Sequence, residues 1–77
     1  MSIEVKFFGQ LAEATGVSHQ KIEDILDTDS LENKISSDFP LLKKHSFVIA
    51  VNKQIVNENK SLKSGDEVAL LPPFAGG

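Results

Sequence analysis

In "SIEVKFF", near the start of the chain, Ile3, Val5 and Phe7 alternate with Glu4 and Lys6. That is the two-residue period of a strand with one buried face, and it directs Phe8 to the opposite side. The period then changes. "GQLAEATG" carries Leu11, Ala12, Glu13 and Ala14, which favour a turn or two of helix, and Gly16 is placed to stop it. "VSHQKIEDIL" is less regular, but Val17, Ile22 and Ile25 fit a returning second strand. Leu31, Ile35 and Phe39 then recur at four-residue spacing, with Glu32, Asn33, Lys34 and Ser36 free to face water, which predicts an amphipathic helix. Asp29 and Glu32 have the spacing of a capping box, Thr28 is the other candidate cap, and Pro40 ends the run near Phe39.

Beyond the basic turn "KKHS", "FVIAVN" is a continuous apolar run rich in β-branched residues and reads as a central strand covered on both faces or nearly so. Asn52 and Lys53 offer a turn into the short run "QIV". In the polar connection that follows, Leu62 is the one large apolar residue and is expected to plug the core edge from a loop. Ser64, Gly65 and Asp66 are turn chemistry, and "VALL" is the last strand. One main helix crossing a mixed sheet of four or five strands makes a two-layer α+β domain with the layout of a β-grasp, or ubiquitin-like, fold. The expected division is a domain over residues 1–71 and a flexible C-terminal tail over residues 72–77.

Composition narrows the function classes. A chain of 77 residues has room for one core. It contains no cysteine, so disulfides, thiolate metal sites and a cysteine nucleophile are excluded. Eight lysines, no arginine and eleven carboxylates give a formal charge of -3, which argues against nucleic acid as a partner because phosphate reading needs a basic face. The longest apolar stretch, residues 47–51, is far too short to cross a bilayer, and "MSIEVKFFGQ" lacks the layout of a signal peptide, so a cytoplasmic location away from membranes is expected.

The end of the chain, "LLPPFAGG", is the unusual segment. Pro72 and Pro73 fix φ and supply no N–H, so they end sheet pairing and hold the chain extended beyond Leu71. Gly76 and Gly77 have no Cβ and pass through a channel too narrow for any side chain. A carboxylate on such a thread can reach deep into another protein's active site, so the candidate reactive group is the terminus itself.

Taken in order, "IEVKFFGQLAEATG", "AVN" at residues 50–52, "LKSGDEVALLPP" at residues 62–73 and the terminal "AGG" resemble the small subunit of molybdopterin synthase, the MoaD family of sulfur carriers, over essentially the whole chain. Ala12 stands where the family often has a basic residue, and Phe74 where it often has a small aliphatic one. The resemblance implies that a MoeB-like adenylating enzyme uses Mg-ATP to convert the Gly77 carboxylate to an acyl adenylate, and that a sulfur donor displaces AMP to leave a thiocarboxylate. The carrier then gives its sulfur to cyclic pyranopterin monophosphate. Two sulfurs are needed for the dithiolene, hence two loaded carriers. The pterin pocket is implied to lie in a MoaE-like large subunit, with a heterotetramer as the assembly. This chain then binds no cofactor and has no activity alone. Besides Gly77, the tail and partner contacts are assigned to Gly76, Ala75, Phe74, Pro73, Pro72, Leu71 and Phe8, with Phe8 equally a candidate for the core.

Other polar residues read as ordinary surface. His19 and His45 have no partners at ligand spacing, and Asp24, Asp27, Asp29 and Glu32 fit capping and solvated surface better than a metal site. Asp66 and Glu67 read as a turn, with docking of the activating enzyme as an alternative. Ser36 and Ser37 have no base that the sequence places beside them. Two alternative functions use the same tail. A ThiS-like carrier of the thiamine pathway usually lacks the Pro-Pro, and a ubiquitin-like protein modifier usually has basic residues before its final glycines, which "PPFA" does not supply.

Overall fold

The computed structural model describes residues 2–73. Five strands and two α-helices follow one another as β1 (Ser2–Phe7), α1 (Gln10–Thr15), β2 (His19–Glu23), α2 (Thr28–Asp38), β3 (Val48–Val51), β4 (Gln54–Val56) and β5 (Glu67–Leu71), with a 3-10 helix (Pro40–Lys44) between α2 and β3. The strands form one mixed sheet in the order β2-β1-β5-β3-β4. β1 and β5 run parallel at its centre, and the other pairs are antiparallel. With α2 contributing Leu31 and Ile35 to the core beneath the sheet, this is the β-grasp arrangement that the element order predicts.

The alternation in each strand decides which side is buried. Ile3, Val5, Phe7, Ile22, Ile49, Val51, Val68 and Leu70 meet Leu11, Leu31, Ile35, Leu42 and Leu62 in one apolar cluster. Phe39 closes it from the end of α2, its ring edge-on to Phe7 with centroids 5.8 Å apart. Leu62 fills the core from its loop as expected.

Two expectations are corrected. The cap of α2 is neither Asp29 nor Thr28 but Asp27, which has extended backbone and accepts the Ser30 amide at 2.8 Å. Thr28 is the first helical residue and is buried. Its hydroxyl accepts the Lys60 amide at 2.9 Å and donates to Asn59 Oδ1 at 3.3 Å. Asn59 Oδ1 also accepts the Asp29 amide at 2.9 Å, so a loop distant in sequence helps satisfy the helix start. Second, the basic turn begins as a 3-10 helix with Pro40 in its first turn and Leu42 fully buried. β3 lies inside the sheet between β5 and β4 and is covered on both faces as the apolar run predicts: Ile49 and Val51 face the core, and Ala50 is buried on the far side because its short side chain lies between its cross-strand neighbours Ile55 and Ala69.

The β3–β4 turn is locked to the start of β5. Asn52 and Lys53 take positive φ, 49° and 72°, as a two-residue hairpin turn requires. Asn52 Oδ1 accepts the Glu67 amide at 3.0 Å, and its Nδ2 donates to Asp66 Oδ1 at 3.0 Å. Asp66, only 6% exposed, also accepts the Lys63 amide at 2.9 Å. The Lys63 N–H, then the Asn52 amide, hold the Asp66 carboxyl below its ordinary value, as the Ser30 N–H holds that of Asp27.

A carboxyl with a lowered folded-state pKa stabilises the fold above its unfolded value, about 3.9 for Asp, and loses that contribution as pH falls through the folded value. Thermal stability is therefore expected to decline below about pH 4, with a shallower acid limb for Asp66→Asn. Circular dichroism melts from neutral to acid pH check this. An identical slope in wild type and variant would show that Asp66 does not contribute.

Candidate functional site

Opposite the helix, the outer sheet face divides into two halves. Around β1 and β2 it is charged: Glu4 pairs with Lys21, and Lys6 with His19. Lys6 also reaches Glu67 at 2.9 Å, and that hydrogen bond raises the Lys6 pKa. Around β5, β3 and β4 it is apolar. Leu71 pairs with Val48, Ala69 with Ala50, and Ala50 with Ile55.

Phe8 extends the apolar half. Its amide donates to Leu70 O at 3.1 Å, which carries the β1–β5 ladder one residue past β1 and sets Phe8 beside Leu71. The choice between core and surface is thereby made: Phe7 is buried, while Phe8 is 44% exposed. Ile55, at the other end of the stripe, is 48% exposed. Leu71 and Pro72 are half-buried and Pro73 is exposed, so β5 ends on this stripe at Leu71 and the two prolines follow it.

Phe8 and Leu71 thus lie together at one end of the outer face, and Pro72 and Pro73 follow directly from Leu71. Phe74, Ala75, Gly76 and Gly77 lie outside the described residues. Val48, Ala69 and Ile55 were missed by the sequence reading, because only pairing shows that residues from three strands share a face. Their signal was present as the apolar positions of each strand that fall out of phase with the core set.

A concavity of about 490 Å³ lies elsewhere, between the start of α2, the start of β3 and the end of β4. Its lining includes Asp29, Glu32 and Glu58 with His45 as the one basic side chain, which is unsuited to an anionic phosphorylated ligand. No group of three or more potential metal-ligating His, Cys, Asp or Glu side chains occurs among the described residues, and no helix among them is long and apolar enough to cross a membrane.

A family model described as the ThiS family matches residues 5–77. The chain belongs to the ThiS family. This member is 36% identical over 83 aligned positions to a molybdopterin synthase sulfur carrier subunit of Chlamydomonas reinhardtii, with all of both chains covered. Its fold is similar to that of a molybdopterin converting factor subunit 1 from Pyrococcus furiosus, with a TM-score of 0.88, 26% identity, and 96% and 99% of the two chains covered. A complex of subunits 1 and 2 of molybdopterin-converting factor from Helicobacter pylori contains a chain 32% identical to this one, covering 100% of both, with a TM-score of 0.75.

Proposed function

We propose that this chain is the sulfur carrier of a molybdopterin synthase. The observation that carries the reading is the "PPFAGG" end on a ThiS-family domain whose similarity to molybdopterin synthase sulfur carrier subunits spans the whole chain. In this reading residues 1–71 are the docking domain and residues 72–77 the tail. The apolar stripe from Phe8 to Ile55 is the surface presented to partners, and the -3 charge suits basic ones.

The chemistry belongs to the terminus. The Gly77 carboxylate attacks the α-phosphorus of ATP on a MoeB-like enzyme, with Mg bound there, and pyrophosphate leaves. Hydroxide is a poor leaving group from an acyl carbon and AMP a good one, so a sulfur donor can then displace AMP to give Gly77-COSH. The tail next enters a MoaE-like large subunit, where the thiocarboxylate sulfur attacks cyclic pyranopterin monophosphate and hydrolysis returns the Gly77 carboxylate. Two carriers serve the two sulfurs of the dithiolene, which suits a heterotetramer. The sulfurtransferase activity belongs to the assembly, and its place is the cytoplasm.

The test is an intact mass after incubation with a MoeB-like enzyme, Mg-ATP and sulfide. Replacement of one oxygen by sulfur, located by fragmentation at Gly77, is expected, and an unchanged mass with a demonstrably active enzyme overturns the proposal. The name of the matched family model favours one second reading, a thiamine-pathway carrier, which shares the loading step. Sulfur transfer to the pterin precursor in the presence of a large subunit separates the two.

A further inference from the structure

We infer that Gly9 is a positioning residue for the tail, the seat on which Pro72 leaves the sheet; the inference rests on the carrier reading above. In the parallel ladder the Phe8 amide donates to Leu70 O, and continuing that pattern would require the amide of residue 72 to donate to Phe8 O. Pro72 has no amide hydrogen. The Phe8 carbonyl instead accepts the Leu11 amide at 3.1 Å, and the Gly9 carbonyl accepts that of Ala12 at 3.1 Å, so both join the first turn of α1. The two central strands therefore separate at one point, with β1 turning into α1 and β5 continuing as Pro72-Pro73.

Gly9 is the residue that this parting turns on. Its φ of 58° and ψ of -134° lie where only glycine sits without strain. A Cβ built on it would lie 3.1 Å from Pro72 Cγ and 3.9 Å from Cδ, closer than the ring tolerates without shifting. The missing side chain at Gly9 thus leaves the space that Pro72 occupies. Since Pro72 is where the chain leaves the sheet, displacing its ring displaces the base of the tail.

Gly16 provides the control. It also has positive φ, 79°, but a Cβ there meets nothing within 4 Å, so Gly16→Ala adds backbone strain without touching Pro72. Loading by the adenylating enzyme with Mg-ATP and sulfide, followed by mass, is to be compared for wild type, Gly9→Ala, Gly16→Ala, Pro72→Ala and the Gly9→Ala/Pro72→Ala pair.

Gly9→Ala is expected to lower kcat about five- to tenfold, the scale of a shift of a few tenths of an ångström at the base of the tail, with KM changed by less than about twofold because the docking face is intact. Gly16→Ala is expected to load at the wild-type rate. Once Pro72 is alanine, adding Gly9→Ala should change kcat by less than about twofold, since its effect acts through the ring. Equal rates for Gly9→Ala and Gly16→Ala, or full additivity with Pro72→Ala, overturn the inference. Should Gly9→Ala fail to fold, Pro72→Ala alone decides: a roughly tenfold loss in kcat supports the seat and a wild-type rate overturns it. A wild type that takes up no sulfur sinks the carrier reading and this inference with it, whereas a loaded wild type with an unaffected Gly9→Ala sinks the inference alone.

Discussion

A chain lacking Gly77 is expected to take up no sulfur, with loading lowered at least about a hundredfold, while its melting temperature stays within about a degree of wild type. The loss follows from reach. Deleting one residue withdraws the carboxylate by up to about 3.5 Å. Attack on a phosphorus requires reacting atoms within about 3–3.5 Å and aligned, and misplacement by about 1 Å already costs on the order of a hundredfold. Adding one residue after Gly77 moves the carboxylate as far the other way and should be equally damaging. The fold should not notice, because among the described residues the buried cluster runs from Ile3 to Leu70 and the last strand ends at Leu71, all well before Gly77. Intact mass reads the loading and a circular dichroism melt reads the fold. Wild-type loading of the shortened chain would mean that the terminal carboxylate is not the reactive group.

Phe8→Asp is expected to weaken binding to the large subunit and to the adenylating enzyme by roughly thirtyfold or more, about 2 kcal/mol at an aromatic anchor. Phe8 sits beside Leu71 at the point where the tail starts and is 44% exposed, so its ring is available to a partner and its loss opens no cavity. A carboxylate in its place must be desolvated against an apolar surface on docking. Leu26→Asp is the matched control: Leu26 is 68% exposed in the loop before α2, away from the stripe. Calorimetric titrations of the three chains against each partner should show a loss for the first variant alone. Equal losses for both would point to a general charge effect, and no loss for Phe8→Asp would place docking on another surface.

The two variants also separate the layers of the mechanism. Loss of Gly77 leaves docking intact and removes the chemistry, whereas Phe8→Asp weakens docking and leaves the terminus competent at saturating partner concentration.

How legible the molecule was depends on the range of the interactions involved. The strand at Ile3, Val5 and Phe7 and the helix at Leu31 and Ile35 are readable because periodicity is local and core burial enforces it. The tail is readable too, since the absent N–H of Pro72 and Pro73 and the absent Cβ of Gly76 and Gly77 are properties of the residues alone. The cap of α2 was misplaced because three candidate residues stand in a row, and the choice of Asp27 depends on Asn59 and Lys60 arriving from thirty-odd positions away.

By itself, then, the sequence determined the strand and helix types, the core-facing residues of β1 and α2, and the stiff, Cβ-free chemistry of the end of the chain. Tertiary structure alone decided that β5 lies at the sheet centre, that Phe8, Leu71, Val48 and Ile55 form one stripe, and that Pro72 rests against Gly9. Two of those contacts, Phe8 with Leu71 and Gly9 with Pro72, join residues more than sixty positions apart. Strand order and register settle them through the competition among whole-sheet packings, and no local pattern of hydrophobicity or turn chemistry encodes that outcome.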